Sequence, residues 1–317
     1  MIVSAFARCL FLLGAFLAAP AWAGQVAMTF DDLPVYGRFR PIADAEAVTA
    51  DLLAGIARNH WPATGFVNEI QLDAGDRPRR VALLRRWLDA GLDLGNHSYS
   101  HASFTHTPVE TYIADVARGE RVTRALLAER GRSERWYRHP YLETGPTLAA
   151  RRRFEAWLSL HGYRVAPVSM ENSDWQFADP YDDALAHGDR RRAAYIRQAY
   201  LDFTARIVPW YRRAAIGLLG REPAFVFLLH ASRLNADSID AIAAILKAQR
   251  LRPVSLDQAM RDRAYRIADS YAGADGDEWL TRWSMTMKRS LPWSSLPRVP
   301  AEIAAWDAKA DPAAAKS

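Results

Sequence analysis

The sequence Met28-Thr29-Phe30-Asp31-Asp32-Leu33-Pro34 places two adjacent carboxylates directly after a short apolar run. Because neighbouring side chains on a β-strand point to opposite faces, Asp31 and Asp32 can reach one site only where the strand has ended and the backbone turns. Parallel α/β folds place their chemistry at such strand ends. The alternative interpretation is a structural turn ahead of Pro34. Polar residues further along the chain favour the functional interpretation.

Short apolar runs alternate with amphipathic segments between residues 25 and 265. Strands are predicted at 26–30, 64–68, 92–94, 164–168, 225–229 and 252–254. Helices are predicted at 44–59, 79–90, 108–129, 148–160, 191–219 and 236–249, with a kink or break at Pro209. About seven alternations are typical of parallel strands joined by crossover helices. The predicted fold class is therefore α/β.

The candidate functional residues follow at least five different strands of this pattern. A barrel collects such strand ends on one face, so we predict a distorted (β/α) barrel of about seven strands over residues 24–265. Residues 266–317 contain Trp279, Trp283 and Trp293 between glycines and prolines. We interpret them as a C-terminal extension that packs on the barrel through its tryptophans and ends in a disordered Ala/Lys-rich tail.

Residues 1–23 are typical of a secretory signal peptide. Arg8 is their only charge, residues 10–19 are almost wholly apolar, and Ala21-Trp22-Ala23 fits a cleavage site. The apolar run is too short for a comfortable membrane span, so we expect no stable span after cleavage and a periplasmic or secreted location. An uncleaved anchor helix is the alternative. Cys9, the only cysteine, lies in this segment, which excludes disulfides and cysteine metal ligands from the mature chain.

Lysine and arginine number 41 against 36 aspartates and glutamates, a net charge of +5. The arginine runs at 151–153 and 190–192 are interrupted by apolar helix positions, so we interpret them as solvated helix faces. The sequence contains no RNA- or DNA-binding motif. We therefore expect no nucleic-acid partner and at most an attraction to acidic surfaces.

His97 and His101 are four residues apart. If their loop enters a helical turn, both imidazoles lie on one side and can bind one cation, although such a pair alone is as often coincidence. The Asp32 carboxylate completes a set of two histidines and one aspartate, which leaves positions open for water and substrate as catalytic metal sites do. We predict one divalent ion. Imidazole and carboxylate suit Zn²⁺, with Co²⁺, Ni²⁺, Mn²⁺ or Fe²⁺ as alternatives.

Five short motifs occur in order within residues 25–260. They are Thr29-Phe30-Asp31-Asp32, His97-Ser98-x-x-His101, Arg138-His139-Pro140-Tyr141, Asp174-Trp175 and Leu228-Leu229-His230. Together they resemble the motifs of the polysaccharide deacetylases, the NodB-homology enzymes of carbohydrate esterase family 4. The resemblance implies a distorted (β/α) barrel that uses a divalent metal ion to remove N-acetyl groups from an N-acetylated glycan.

Carried over residue by residue, the resemblance implies that Asp32, His97 and His101 bind the metal ion. Asp31 would be the general base that takes a proton from water. Arg138 would orient Asp31 and keep it ionised, since two adjacent carboxylates otherwise raise one another's pKa. Amide hydrolysis needs such an activated nucleophile, and metal ions are one means of activating water near neutral pH.

The same resemblance implies that the backbone N–H of Tyr141 contributes to an oxyanion site and that Trp175 lines an acetyl pocket. His230 would be the general acid, because an amine leaves poorly unless it is protonated. Asp174 would tune His230, with Glu171 as the alternative partner. Taken alone, a histidine that follows five apolar residues, as His230 does, is more often a core residue. The order of the five motifs along the chain favours the role of general acid instead.

Leu33 stands where a glycine commonly follows the paired aspartates in that family, and Val226 replaces a leucine in the last motif. We expect Leu33 to narrow the cleft, which would disfavour an unmodified polymer such as chitin. His106 and His139 are further candidates for contact with the substrate.

The leading prediction is a hydrolase that deacetylates peptidoglycan, a chitin-like oligomer or poly-N-acetylglucosamine. One alternative is a cyclic-amide or ureide hydrolase that uses the same metal set on a small substrate. The other is a glycan-binding pseudoenzyme that uses the tryptophans of the C-terminal extension. The sequence disfavours the pseudoenzyme because the proposed metal ligands, base, acid and positioning arginine are all present.

Overall fold

The computed structural model describes residues 24–37 and 40–310. The predicted signal peptide at 1–23 and the last seven residues, 311–317, lie outside the described residues. The division between a barrel at 24–265 and a C-terminal extension stays a prediction. Within the described ranges, no helix is both long and apolar enough to cross a membrane.

The described residues form one parallel β-sheet surrounded by helices. Its strands are β1 (Gly24–Leu33), β2 (Thr64–Val67), β3 (Asp93–Asn96), β4 (Trp136–Tyr137), β5 (Arg164–Val165), β6 (Ala224–His230) and β7 (Leu251–Pro253). The helices up to β6 are α1 (Ile42–Arg58), α2 (Arg77–Asp89), α3 (Val109–Arg118), α4 (Arg121–Ala128), α5 (Leu148–Leu160), α6 (Asp174–Ala186) and α7 (Arg190–Leu219). After β6 come α8 (Arg233–Ala248), α9 (Leu256–Ala259), α10 (Trp279–Met287) and α11 (Ala301–Ala310).

The sheet curls into a distorted barrel. The strand order is β5-β4-β3-β2-β1-β6, and β7 pairs with the first residues of β1. Beyond β5 the ring closes through a parallel bridge between Met170 and Phe227, where Leu228 N donates to the Met170 carbonyl at 3.0 Å. Every strand pair is parallel, as crossover helices require. The predicted (β/α) barrel of about seven strands is confirmed.

Strand β1 lies at the centre of the sheet because it is apolar on both faces. Val26, Met28 and Phe30 pack in the main core with the helices. Ala27, on the opposite face, packs in the inner cluster with Phe66 of β2. A strand that is buried on both faces has a nearly continuous apolar sequence. This pattern made β1 recognisable from the sequence.

Two helix predictions are wrong. The single helix predicted at 108–129 is broken into α3 and α4 at Gly119, whose Cβ position would lie 2.4 Å from the carbonyl carbon of Ser98. Only glycine permits this close approach to the loop after β3. Conversely, Pro209 does not break the helix predicted at 191–219, because α7 runs through it. The neighbours of Pro209 in α7, Val208 and Trp210, are both buried, and such packing can outweigh the lost hydrogen bond.

Helix α6 was not predicted, since Pro180 lies in its interior and proline argues against a helix. The helix packs against α7 and α11 and buries Phe177 and Tyr181. In the C-terminal extension, Trp283 is 1% exposed and lies 5.4 Å from the ring of Tyr265. Burial against distant parts of the chain therefore stabilises both α6 and the segment around Trp283.

Candidate active site and metal centre

Asp31 and Asp32 lie at the carboxyl end of β1 and reach the same site. Asp32 has a left-handed backbone conformation with φ of 64°, which interrupts the alternation of side chains along the strand. Asp31 Oδ2 lies 3.7 Å and Asp32 Oδ1 3.6 Å from the same atom, His97 Nε2. The expectation that the strand ends before the two aspartates meet is wrong, because β1 continues to Leu33. The register against β2 shifts between Phe30 and Leu33 instead, and this irregularity brings both carboxylates to one site.

His97 and His101 follow β3 and face Asp32. Their ring centroids are 4.9 Å apart. The loop is not helical as considered above, because Ser98 and His101 have φ of 65° and 58°. His101 N donates to Ser98 Oγ at 3.0 Å, which closes the turn. His101 Nε2 thereby lies 3.6 Å from Asp32 Oδ1, the same distance as His97 Nε2.

These three residues fit a divalent cation. One donor atom from each lies within 4.8 Å of the other two, and donors about 2.1 Å from a tetrahedral ion are about 3.4 Å apart. Asp32 Oδ1 is buried without a hydrogen-bond partner among the described residues. His97 Nδ1 lies 2.9 Å from the Arg138 carbonyl, so it carries the proton and leaves Nε2 free to coordinate. Burial lowers the pKa of His97 well below its ordinary value, which favours the neutral ligand form.

Arg138 is fully buried directly after β4 and touches Asp31. Its Nη1 lies 3.4 and 3.3 Å from the two carboxylate oxygens of Asp31. Nε donates to the Ala166 carbonyl at 2.8 Å, and Nη2 donates to Thr29 Oγ1 at 3.1 Å. Contacts to β1 and to the residue that follows β5 therefore fix the guanidinium beside the carboxylate.

Asp31 is 2% exposed. Burial raises the pKa of its carboxyl to about 6, although the charges of Arg138 and His230 lower it. A carboxyl with a pKa near the working pH is still mostly ionised at neutral pH and can accept a proton effectively. The environment of Asp31 therefore suits a general base.

His230 ends β6 and is bound by Asp174, the first residue of α6. Asp174 Oδ1 lies 2.8 Å from His230 Nδ1, and Oδ2 accepts the His230 backbone N–H at 2.7 Å. Burial lowers the pKa of His230, but the charge and hydrogen bond of Asp174, with the charges of Asp32 and Asp31, together raise it to about 9. Of the two tuning partners considered, it is Asp174 that contacts the ring, whereas Glu171 Oε2 accepts the Ser173 N–H at 2.7 Å.

Tyr141 lies at the rim of the same site. Its ring centroid is 4.4 Å from that of His101, and 58% of its surface is exposed. Tyr141 and Leu142 both have left-handed backbones, with φ of 54° and 57°, a conformation that costs roughly 1–3 kcal/mol per residue. Trp175, the second residue of α6, is 36% exposed, and its place in an acetyl pocket stays a prediction.

Two residues that contact His230 were missed by sequence reasoning. Asn235 of α8 donates through Nδ2 to Asp174 Oδ2 and to the His230 carbonyl. The Tyr36 ring lies 5.1 Å from the His230 ring in an edge arrangement. Asn235 lies just outside the helix predicted at 236–249, whereas α8 begins at Arg233 after the cap Ser232. Nothing in the sequence around Tyr36 indicated its contact.

The expectation that Leu33 narrows the cleft is wrong. Leu33 is fully buried, and a Cβ built on Gly65 would lie 2.4 Å from Leu33 Cδ2. Leu33 therefore fills the space left by this glycine inside the fold. His139 is 2% exposed and packs 5.0 Å from the Tyr137 ring, so it is a core histidine, whereas His106 is exposed.

Residues 20–164 match the model of a protein family described as polysaccharide deacetylase. The match covers a little under half of the 317-residue chain. It confirms the resemblance inferred from the five motifs, and the first three of them lie inside the matched range. No curated protein matches the chain.

Several solved structures are similar to this chain. One is a mutant, with restored enzymatic activity, of a carbohydrate esterase family 4 pseudoenzyme from Bacillus anthracis: it is 16% identical with a TM-score of 0.51, covering 75% of this chain and 68% of that chain. A family 4 carbohydrate esterase from Streptomyces lividans, in complex with acetate, is 22% identical with a TM-score of 0.49, covering 75% and 97%. A polysaccharide deacetylase from Bacillus cereus is 19% identical with a TM-score of 0.49, covering 73% and 91%. At these identities the likeness concerns the fold alone.

Proposed function

We propose that this protein is a metal-dependent hydrolase that removes N-acetyl groups from an N-acetylated glycan. The observation that carries the proposal is the convergence of three sets of residues on one face of the barrel. They are the two histidines beside Asp32, the Asp31–Arg138 pair and the His230–Asp174 pair. A metal site, a base and an acid are the parts that amide hydrolysis needs.

A divalent ion, for which we propose Zn²⁺ ahead of Co²⁺, Ni²⁺, Mn²⁺ or Fe²⁺, would bind Asp32, His97 and His101 and supply a Lewis acid that activates water and polarises the amide. Asp31 accepts a proton from the attacking water. Arg138 fixes the orientation of Asp31 through its Nη1 contacts.

The remaining steps use groups on the other side of the site. The backbone N–H of Tyr141 donates to the amide oxygen as negative charge develops there. His230 donates the proton that the leaving amine requires. Asp174 accepts from His230 Nδ1, so Nε2 is the nitrogen that delivers the proton.

The proposed substrate is peptidoglycan, a chitin-like oligomer or poly-N-acetylglucosamine. Support comes from the family description and from the exposed aromatic side chains of Tyr141 and Trp175 near the site, since aromatic rings and a few polar groups are typical of ligand sites. Because Leu33 is buried, its presence no longer argues against a polymer.

The test is release of acetate from these three glycans by the zinc-loaded protein, with Asp31→Asn as the matched control. We expect acetate from at least one glycan and almost none from the variant. Hydrolysis of a cyclic amide or ureide without acetate release would support the alternative hydrolase. Glycan binding without hydrolysis of any amide would support a pseudoenzyme and would refute the proposal.

We also propose a periplasmic or secreted location, supported by the composition of residues 1–23. Expression of the full chain followed by N-terminal sequencing of the exported protein tests this. A mature terminus at Gly24 is expected, and a protein that retains residues 1–23 in the cytoplasm would contradict the proposal.

A further inference from the structure

Residues 269–282 of the C-terminal extension, which we call the strap, cross loops at the catalytic face of the barrel. In the loop after β3, Thr105 Oγ1 donates to the Ala274 carbonyl at 2.6 Å. Beyond β5, the Val168 carbonyl accepts from Trp279 N at 2.6 Å. The strap is therefore fixed to the loops on either side of the loop that follows β4.

The closest approach is between Gly276 of the strap and the backbone of Tyr141. A Cβ atom built on Gly276 would lie 1.6 Å from the Tyr141 carbonyl oxygen and 2.8 Å from the carbonyl carbon. A backbone carbonyl cannot move aside as the end of a side chain can, so a residue other than glycine must displace the Tyr141–Leu142 peptide. That peptide shares the Tyr141 Cα atom with the Pro140–Tyr141 peptide, which carries the Tyr141 N–H. A Cβ built on Gly273 instead meets the hydroxyl of Tyr271, at 2.7 Å, which is the end of a side chain.

Buried charges attach the strap to α5 and to the loop after β4. Asp269 Oδ2 lies 3.0 Å from Arg151 Nη1 and 2.9 Å from Arg282 Nε. Arg282 is fully buried between two aromatic rings of the strap and donates through Nη2 to Thr144 Oγ1. Removing one partner of such a buried pair leaves an uncompensated charge, so the strap docks on the loop in one defined position.

The loop that receives these contacts has an unusual backbone. Two consecutive non-glycine residues, Tyr141 and Leu142, adopt left-handed conformations. Such a conformation persists only where the surrounding structure enforces it. The strap supplies backbone contact at Tyr141 and side-chain contact at Thr144, which brackets the left-handed pair.

We propose that the strap positions the Tyr141 backbone N–H for the reaction and that Gly276 is a positioning residue. The inference rests on the proposed deacetylation, in which this N–H donates to the amide oxygen. The metal ligands belong to β1 and the loop after β3. A displaced Tyr141 peptide should therefore slow the chemical step without releasing the metal ion.

The test compares wild type, Gly276→Ala and the matched control Gly273→Ala. The kcat and KM for a chitin oligomer, the zinc content and the melting temperature are measured for each. We expect kcat of Gly276→Ala to fall about 10- to 100-fold, the usual effect of misplacing a group by about 1 Å. KM and zinc content should stay at wild-type values, and Gly273→Ala should behave as wild type.

The outcomes separate this inference from the proposed function. A wild-type protein that hydrolyses no amide overturns both. If the wild type is active and the two glycine variants have equal kcat, only the inference about the strap is refuted. Loss of zinc in Gly276→Ala would refute the same inference. If Gly276→Ala does not fold, Thr105→Val removes the hydrogen bond to Ala274 without adding bulk. Its kcat should fall about fivefold, the worth of one such bond, and an unchanged kcat overturns the inference.

Discussion

Asp31 of β1 and His230 of β6 are paired partners in the parallel sheet. The ends of two neighbouring strands therefore bear the proposed base and the proposed acid. Because strand pairing positions both backbones, the relative placement of the two groups depends on the sheet and not on a long loop. Asp174 and Arg138 then fix the two side chains from α6 and from the end of β4.

The first prediction concerns the proposed acid. His230→Ala should keep its metal ion but lose about a hundredfold in kcat, the usual contribution of a positioned proton donor. The loss should be smaller on an ester, because an alkoxide leaves with less help than an amine. Steady-state kinetics on an amide and its matching ester check this. Equal losses on both would show that His230 is only a core histidine.

The second prediction concerns pH. Burial lowers the pKa of His230, and Asp174, with smaller contributions from Asp32 and Asp31, raises it to about 9 overall. The protonated acid should therefore persist until the pH rises through about 9. In Asp174→Asn the raising charge is lost and burial remains, so the basic limb of the pH–rate profile should move to lower pH. The His230→Ala profile is the control and should lack this limb. A basic limb at the same pH in Asp174→Asn would contradict the pairing.

The third prediction concerns the metal centre. Asp32→Ala and His101→Ala should each lose the divalent ion, measured by elemental analysis, while the exposed neighbour His106→Ala should retain it. Chelation should lower the melting temperature of wild type, since a ligand at a hundredfold excess over its Kd stabilises the native state by about 2.7 kcal/mol. Normal metal content in Asp32→Ala and His101→Ala would remove the assignment.

The fourth prediction concerns the base and its arginine. Asp31→Asn is nearly isosteric and should retain the metal ion with almost no turnover, because an amide cannot accept the proton. Arg138→Met should raise the pKa of Asp31 above its value of about 6, since burial would then act without the opposing guanidinium. The acidic limb should therefore move to higher pH.

Both residues act on one step, so the Asp31→Asn, Arg138→Met double variant should lose much less than the product of the single losses. Melting temperatures provide the control for folding, because removing one partner of a buried ion pair typically destabilises by about 3–5 kcal/mol. If the folded double variant loses as much activity as the product of the two single losses, the two residues act independently and the prediction is wrong.

The fifth prediction concerns stability. The Tyr163 hydroxyl lies 2.6 Å from Glu134 Oε2 and 2.8 Å from Glu120 Oε2, and its single proton cannot serve both carboxylates. Burial raises the pKa of Glu134 well above its ordinary value. The folded state thus binds this proton more tightly than the unfolded chain, so stability falls as pH rises above the unfolded pKa of about 4.3.

Glu134→Gln keeps the shape of the side chain, and the amide needs no bound proton to be neutral. At pH 8 it should be more stable than wild type by about 1–3 kcal/mol, the usual penalty of an unsatisfied buried group, and at pH 4 the difference should vanish. Denaturant unfolding at both pH values measures this. The control is Glu129→Gln, whose side chain is 46% exposed. A stability difference that does not depend on pH would contradict the prediction.

The fold could be predicted because the decisive signals are local. The buried run before Asp31 and the run before His230 identified two strands, and their polar ends indicated where a barrel would collect its functional groups. The break at Gly119 and the continuity through Pro209 could not be predicted. Each depends on a neighbour distant in sequence, the Ser98 backbone in one case and the packed face of α7 in the other.

The sequence by itself determined the order of the motifs along the chain, their resemblance to the polysaccharide deacetylases and the residue types available for a metal ion, a base and an acid. Only the tertiary structure decided how these meet. The left-handed backbone of Asp32, the contact of Asn235 with Asp174 and the approach of Gly276 to Tyr141 have no local signature. The physical reason is that side-chain periodicity records burial over a few residues, whereas these contacts depend on how the whole chain packs.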